Sequence, residues 1–274
     1  MSLVRTLEGK VQQAARLAFS NSIYISNDSL FIVEYPKSGG SWLGQLVSDY
    51  LEMPFPRNRM PIVGQSVVHS HYLPKYRIPQ NKILWLVRDG RDVLVSYYYH
   101  QLVWNEKNKL DPKTVSYARK QLAFEDYDDI KTNLPAFIDY TFTHIPSKLH
   151  YFNFPGNWAE YNNQWKAESL KKDREIFMVK YEDLLIDTGA ELRRILTEFL
   201  GVEPDESKVE KVVAKYSFAN QSKRKPGETD TKSFLRKGIA GDWKNQFTEE
   251  AKDCFKKHAS QTLIDLGYEN NTDW

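Results

Sequence analysis

The sequence predicts an α/β fold, a central parallel sheet flanked by helices, in one domain spanning residues 1–274. Three observations carry this expectation. Four short apolar segments have the length and character of strands buried on both faces. Helical stripes follow or separate them, the alternation that builds an α/β layer fold. A pair of glycines joins the first strand directly to the first helix.

The predicted strands are 30–34, 65–69, 83–87 and 176–180. Ahead of them, Leu3, Leu7, Val11 and Ala15 recur among Arg5, Lys10 and Arg16, which predicts a packed or loosely attached helix over about 1–20. After the first strand, Trp42, Leu43, Leu46, Val47, Tyr50 and Leu51 keep helical spacing until Pro54. Between 104 and 165, Pro135, Pro146 and Pro155 break the pattern, and helices joined by loops are expected there, laid over the open end of the sheet. Thr188 and Glu191 have capping-box spacing at the head of a helix over 189–200, which Gly201 can end. The segment 221–233 is polar, holds Pro226 and Gly227, and reads as a mobile loop. A last helix starts near Thr248 and places Ala251, Cys254, Phe255, His258, Thr262, Leu263 and Leu266 on one face.

Composition excludes several classes. The apolar fraction of 41% and charged fraction of 27% are those of a globular chain. A formal charge of +2 gives no broad nucleic-acid footprint; the one basic concentration is Lys223, Arg224 and Lys225, followed by Lys232, Arg236 and Lys237. Such a segment suits closure over a small polyanion. A single cysteine, Cys254, forbids an intrachain disulfide, and its place on a core-facing stripe argues against catalysis. No stretch approaches the roughly 20 apolar residues of a membrane span, so a cytoplasmic protein is expected. The 16 Tyr, 14 Phe and 7 Trp suit an aromatic-lined pocket or a well-packed core equally.

Two segments carry the chemistry. In the first, a strand ends in Tyr35-Pro-Lys-Ser-Gly-Gly-Ser-Trp42, with a helix beginning at Ser41. Adjacent glycines admit a ligand close to the backbone, the helix start offers unpaired N–H groups and the positive end of its dipole, and Lys37 adds a point charge. The order of residues is not that of a Walker A loop, which disfavours an ordinary ATPase. In the second, Arg88 lies just past a buried strand and Ser96 follows on a helix. Ligands gather at the carboxyl ends of parallel strands, and Arg88 can grip a phosphate with two donors unless it merely pairs with Asp89 or Asp92.

With these segments in place the chain resembles the cytosolic-type, PAPS-dependent sulfotransferase family, PAPS being 3′-phosphoadenosine-5′-phosphosulfate. The 35–42 segment resembles the family's YPKSGTTW loop, and Arg88 to Ser96, running on to His100, resembles its 3′-phosphate element. Tyr181-Glu-Asp-Leu184 is similar to its YEDL turn, and Phe234 to Lys244 to its RKGxxGDWK signature, while Gly156, Trp158 and Trp165 echo a GSW…W pattern. The resemblance implies a P-loop-like nucleotide-binding sulfotransferase fold. It implies that Lys37, Ser38, Gly39, Gly40 and Ser41 hold the 5′-phosphate side of the donor, and that Trp42 stacks on its adenine. Tyr181, Ser217 and Phe218 would also contact adenine, Arg88 and Ser96 would bind the 3′-phosphate, and Arg236, Lys237 and Gly238 would close over it.

The family's catalytic histidine lies in a KTHLP-like segment, and here the text is Val68-His-Ser-His-Tyr-Leu-Pro74. His71 aligns with the base, and His69 stands where the family often has lysine; His69 is the alternative base. The implied reaction is in-line transfer of a sulfuryl group to a hydroxyl or amine of a small, apolar or aromatic acceptor, releasing PAP, with His71 as general base and Lys37 neutralising charge on the leaving oxygen. No metal is required, and no HExxH or CxxC spacing is present. The dimer motif KxxxTVxxxE appears altered as Lys244…Thr248-Glu249…Asp253, so a monomer or weak dimer is expected, with no nucleic-acid partner and no membrane span. A small-molecule kinase and a non-catalytic nucleotide-binding descendant are the alternatives. The first lacks its Walker A lysine, and the second does not account for Lys37 together with His71.

Overall fold

Four parallel strands form one sheet in the order β2-β1-β3-β4, where β1 is Leu30–Glu34, β2 Val67–Ser70, β3 Lys82–Val87 and β4 Glu175–Lys180. This computed structural model describes residues 29–57, 61–74, 82–104, 112–144, 156–231, 233 and 235–274, with positions 11–12, 14–15, 18–19 and 22. The helix expected over 1–20 therefore falls mostly outside the described residues, as do Pro146, Pro155, Lys232 and Phe234; the described pairs between 11 and 19 are helical.

The chain divides into two compact units, Met1–Val87 with Gln164–Tyr216, and Arg88–Asn163 with Ser217–Trp274. The first holds the whole sheet. β1 is buried at all five positions, as a central parallel strand requires, and its register sets Phe31 beside both Val68 and Ile83. The helix Gly40–Leu51 buries Leu43, Leu46, Val47 and Tyr50, and Leu192, Ile195, Leu196 and Phe199 join the same core. β4 lies at an end of the strand order, and its Met178 carbonyl accepts from Arg194 Nη2 at 3.0 Å, which caps part of the edge. The helix expected over 189–200 is Thr188–Arg194 running into a π-helical turn, Ile195–Leu200. Its cap is Asp187, which accepts from the Ala190 N–H at 2.8 Å, rather than Thr188, whose hydroxyl bonds back to Leu184 O.

The second unit is helical among its described residues. The helices Gly90–Tyr98, Ile130–Thr143 and Glu249–Asp265 supply much of its core, with Leu94, Tyr98, Leu134, Phe137, Phe255 and Leu263 buried. Pro135 does not break the pattern as expected: the helix Ile130–Thr143 runs through it, capped by Asp129. Thr248 caps the last helix where the sequence placed it, accepting from Ala251 N–H at 3.2 Å. Trp158 and Tyr161 of this unit, and Trp165 of the first, are fully buried. These aromatics of the 104–165 region pack the interior.

Candidate active site

In the first unit, β1 ends at Glu34 and the chain turns through Lys37, at φ 75°, and Gly39, at φ 107°, into the helix that starts at Gly40. Positive φ at two positions two residues apart folds the loop tightly, and only the second has the glycine that makes it inexpensive. Gly39 is also needed for space, because a Cβ there would lie 2.6 Å from the Tyr181 ring. Tyr181 opens the short helix Tyr181–Ile186 after β4 and meets Trp42 edge to face, 5.8 Å between ring centroids. Trp42 Nε1 donates to Tyr216 O at 2.9 Å, which fixes the indole beside the loop. Ser38 is buried, and the Ser41 hydroxyl accepts from Arg57 Nη2 at 2.9 Å. Arg57 is a cation at the loop that no spacing in the sequence announced.

β2 brings the two histidines to this loop. His71 Nδ1 lies 2.9 Å from the Glu34 carbonyl oxygen, so Nδ1 carries the proton and donates, and Nε2 is left with its lone pair. Burial, reinforced by the neighbouring His69 and by Lys37 against the opposing pull of Glu34, holds the His71 imidazole down to about 4. At neutral pH the imidazole is therefore uncharged. His69 Nε2 lies 2.8 Å from Glu34 Oε1, and its ring meets that of His71 edge to face at 4.8 Å.

Glu34 is the functional candidate that motif reading passed over. Its other carboxylate oxygen accepts the Gly40 N–H, so that donor, assigned to the 5′-phosphate from the sequence, is engaged by the protein itself. Burial works against the carboxylate's charge, but His69, His71 and the Gly40 N–H together hold it below the usual range, ionised. The available signal was a charged residue closing an otherwise apolar buried strand.

In the second unit the aspartates beside Arg88 hold other groups as well, and the Arg88 charge favours the ionised form of Asp92. Asp89 caps the helix Gly90–Tyr98 and pairs with Arg91 at 2.7 Å, while Asp92 accepts from Gly241 N–H at 2.6 Å and Trp243 N–H at 2.9 Å. Arg91 is buried between the rings of Trp243 and Trp274 and bonded to Glu269, a structural role. Arg88 keeps its guanidinium near Ile239 O, at 3.5 Å, and its carbonyl accepts from Trp158 Nε1 at 3.2 Å. Ser96 is half-buried on the same helix.

Arg236 and Lys237 are not a solvated turn. Both pair with buried Asp242, each at 2.6 Å, and Arg236 also lies over Tyr99, 4.9 Å from its ring centroid. Burial opposes the Asp242 charge, but these two cations outweigh it and hold the carboxyl below its usual range. Gly238 faces Phe218, whose ring would sit 2.2 Å from an added Cβ, and Ser217 caps the helix Phe218–Ser222. Within the segment read as a mobile loop, Arg224 bonds the carbonyls of Glu228, Leu235 and Arg236, and Gly227 N–H donates to Lys237 O at 2.9 Å. Among the described residues, two groups have ligand atoms close enough to hold a metal ion, Glu34 with His69 and His71, and Asp139 with Cys254 and His258. Sequence spacing gave no sign of either.

A parallel sheet whose central strand hands its chain to a lysine- and glycine-bearing turn, with paired histidines ending the neighbouring strand, defines a nucleotide-binding type of α/β fold. The sulfotransferase domain family matches residues 49–267. Rat sulfotransferase 1E1 is 28% identical over 280 residues, covering 87% of this chain and 84% of the rat protein, and human sulfotransferase 2A1 is 24% identical, covering 88% and 86%. In fold, the chain is similar to mouse sulfotransferase SULT7A1 complexed with PAP, with a TM-score of 0.65, 20% identity and coverage of 94% and 93%. Retinol dehydratase in complex with androsterone and inactive cofactor PAP follows with a TM-score of 0.57, 18% identity and coverage of 92% and 86%. The chain belongs to the sulfotransferase domain family. It is a transferase of the PAPS-dependent class that its motifs resemble, and its fold is the sulfotransferase fold. No helix among the described residues is long and apolar enough to cross a membrane.

Proposed function

We propose that the protein moves a sulfuryl group from PAPS to a hydroxyl or amine of a small acceptor, with His71 as general base. The observation that carries this reading is the His71 hydrogen bond to the Glu34 carbonyl, which leaves Nε2 as a neutral proton acceptor beside the phosphate loop. The acceptor's proton passes to Nε2 as its oxygen or nitrogen bonds to sulfur. The bond from sulfur to the 5′-phosphate oxygen breaks, and that oxygen leaves with the electron pair, which Lys37 is assigned to balance. In this reading Ser38, Gly39, Gly40 and Ser41 surround the 5′-phosphate side, and Trp42 and Tyr181 offer ring faces and a hydroxyl to adenine. Arg88, Ser96, Arg236, Lys237 and Gly238 serve the 3′-phosphate, with Ser217 and Phe218 toward the base.

The donor set fits a nucleotide with two phosphate ends. The loop supplies a lysine at a helix start, and in the second unit Arg88 brings a guanidinium and Arg236 and Lys237 two further cations. The PAP in the two similar structures accords with this. A small apolar acceptor, transfer without a metal, a single catalytic domain, a cytoplasmic site of action and a monomer or weak dimer complete the proposal. The test is acceptor-dependent PAP formation by the purified protein supplied with PAPS, lost in His71→Ala. Sulfuryl transfer that persists unchanged in that variant would exclude His71 as base.

A further inference from the structure

Glu34 touches the phosphate-loop helix and both histidines in the first unit. Its carboxylate accepts from the first N–H of the helix after the phosphate loop and pairs with His69 at 2.8 Å, and its carbonyl accepts from His71 Nδ1 at 2.9 Å. We propose that Glu34 is a positioning residue for sulfuryl transfer, clamping the phosphate-loop helix and both histidines into one rigid arrangement. This rests on the reading of His71 as the base.

Three observations favour a positioning role over a simple staple. The carboxylate is 3% exposed, and a buried charge contributes little net stability compared with an apolar side chain of like volume, so its place at this centre calls for another reason. Among the departures from the family text, Gly40 stands for threonine in the loop and His69 for lysine in the histidine segment, and these two meet at Glu34. A Cβ on Gly40 would lie 2.6 Å from the Glu34 carboxyl carbon and 2.7 Å from His69 Nε2, so the carboxylate and imidazole occupy space that glycine alone leaves. Glu34, Gly40 and His69 are a matched set. Finally, the His69 ring is held edge to face against His71, so the Glu34 carboxylate reaches the base through His69 as well as through its own carbonyl.

Among the described residues, the charges that bear most on His71 are His69 on β2, Glu34 on β1 and Lys37 in the loop; His69 and Lys37 disfavour its protonated form and Glu34 favours it. Removing His69 therefore moves the base's titration upward, toward the ordinary imidazole value. Gly40 N–H and His69 engage different oxygens of Glu34, so glutamine at 34 turns an NH2 group toward one of them.

The test compares wild type, Glu34→Gln, His69→Asn, the double variant and His71→Ala by PAP affinity and by kcat and kcat/KM against pH. The proposal expects each of Glu34→Gln and His69→Asn to lose about 100-fold in kcat, the scale of a roughly 1 Å misplacement, while PAP affinity changes little. The double variant loses no more than the worse single one, because the two act as a unit. His69→Asn also shifts the acid limb of kcat/KM to higher pH. Wild-type kcat in Glu34→Gln while His71→Ala is inactive would overturn the positioning role and leave the base in place. Losses that multiply in the double variant would also overturn it. Full activity in His71→Ala would remove the base, and this proposal with it. Should Glu34→Gln not fold, an unshifted acid limb in His69→Asn is the refuting result.

Discussion

Lowering the pH from 7 to 4 separates His71 from an ordinary histidine. Its imidazole is held at about 4 against an ordinary value of 6.5, chiefly by burial. The difference of roughly 2.5 units, at 1.36 kcal/mol each, makes protonation in the folded state about 3 kcal/mol harder than in the unfolded chain. The folded pKa is the depressed one, so this stability is complete above pH 6.5 and drains away as pH falls from there through about 4. Two assays read it. In kcat/KM against pH, which reports groups of the free enzyme, the acid limb lies near pH 4 to 5 and activity at pH 6 stays close to that at pH 7. In urea denaturation at pH 7 and pH 4, wild type loses about 3 kcal/mol more than His71→Ala. An acid limb at pH 6.5, or equal losses in the two proteins, would refute the buried neutral base.

Other perturbations follow from the same geometry. Gly40→Ala drives a Cβ into Glu34 and His69, so it costs about 1–3 kcal/mol in chemical denaturation and lowers kcat with it; an unchanged unfolding midpoint would show that the carboxylate is easily displaced. With Arg88 in its proposed role at the 3′-phosphate, Arg88→Ala weakens PAP binding about 10- to 100-fold by calorimetry, with little change in melting temperature. Asp242→Ala leaves Arg236 and Lys237 without their buried partner and destabilises by about 3 kcal/mol, read by thermal or urea melts; a change under about 0.5 kcal/mol would show the pairing to be incidental.

How much of this was legible in the sequence depends on how local each signal is. β1 falls on the predicted residues, the other strands within two of them, and the Thr248 cap was read correctly, because apolar runs and cap chemistry lie within a few neighbouring residues. The lysine- and glycine-bearing turn, Arg88 and the two histidines were visible for the same reason. Glu34 was not, since its meaning comes from His69, 35 residues on, and that pairing exists only once β2 lies against β1. Asp242 and Arg57 were missed on similar grounds, each acquiring its role from a partner the spacing does not reveal. Pro135 misled in the opposite direction, because the interior packing of Leu134, Phe137 and Ile138 sustains a helix despite one lost hydrogen bond. The aromatics of 104–165 were ambiguous until burial separated Trp158, Tyr161 and Trp165 as core.

The central claim, sulfuryl transfer through His71, is tested most directly by mixing purified protein with PAPS and a broad pool of phenols, alcohols, amines and sugars, and measuring PAP and sulfated product. The account predicts acceptor-dependent PAP release matched by product in wild type, and neither in a His71→Ala protein that still binds PAP. Failure of the wild-type protein to bind PAPS, or equal product from both proteins, would contradict it.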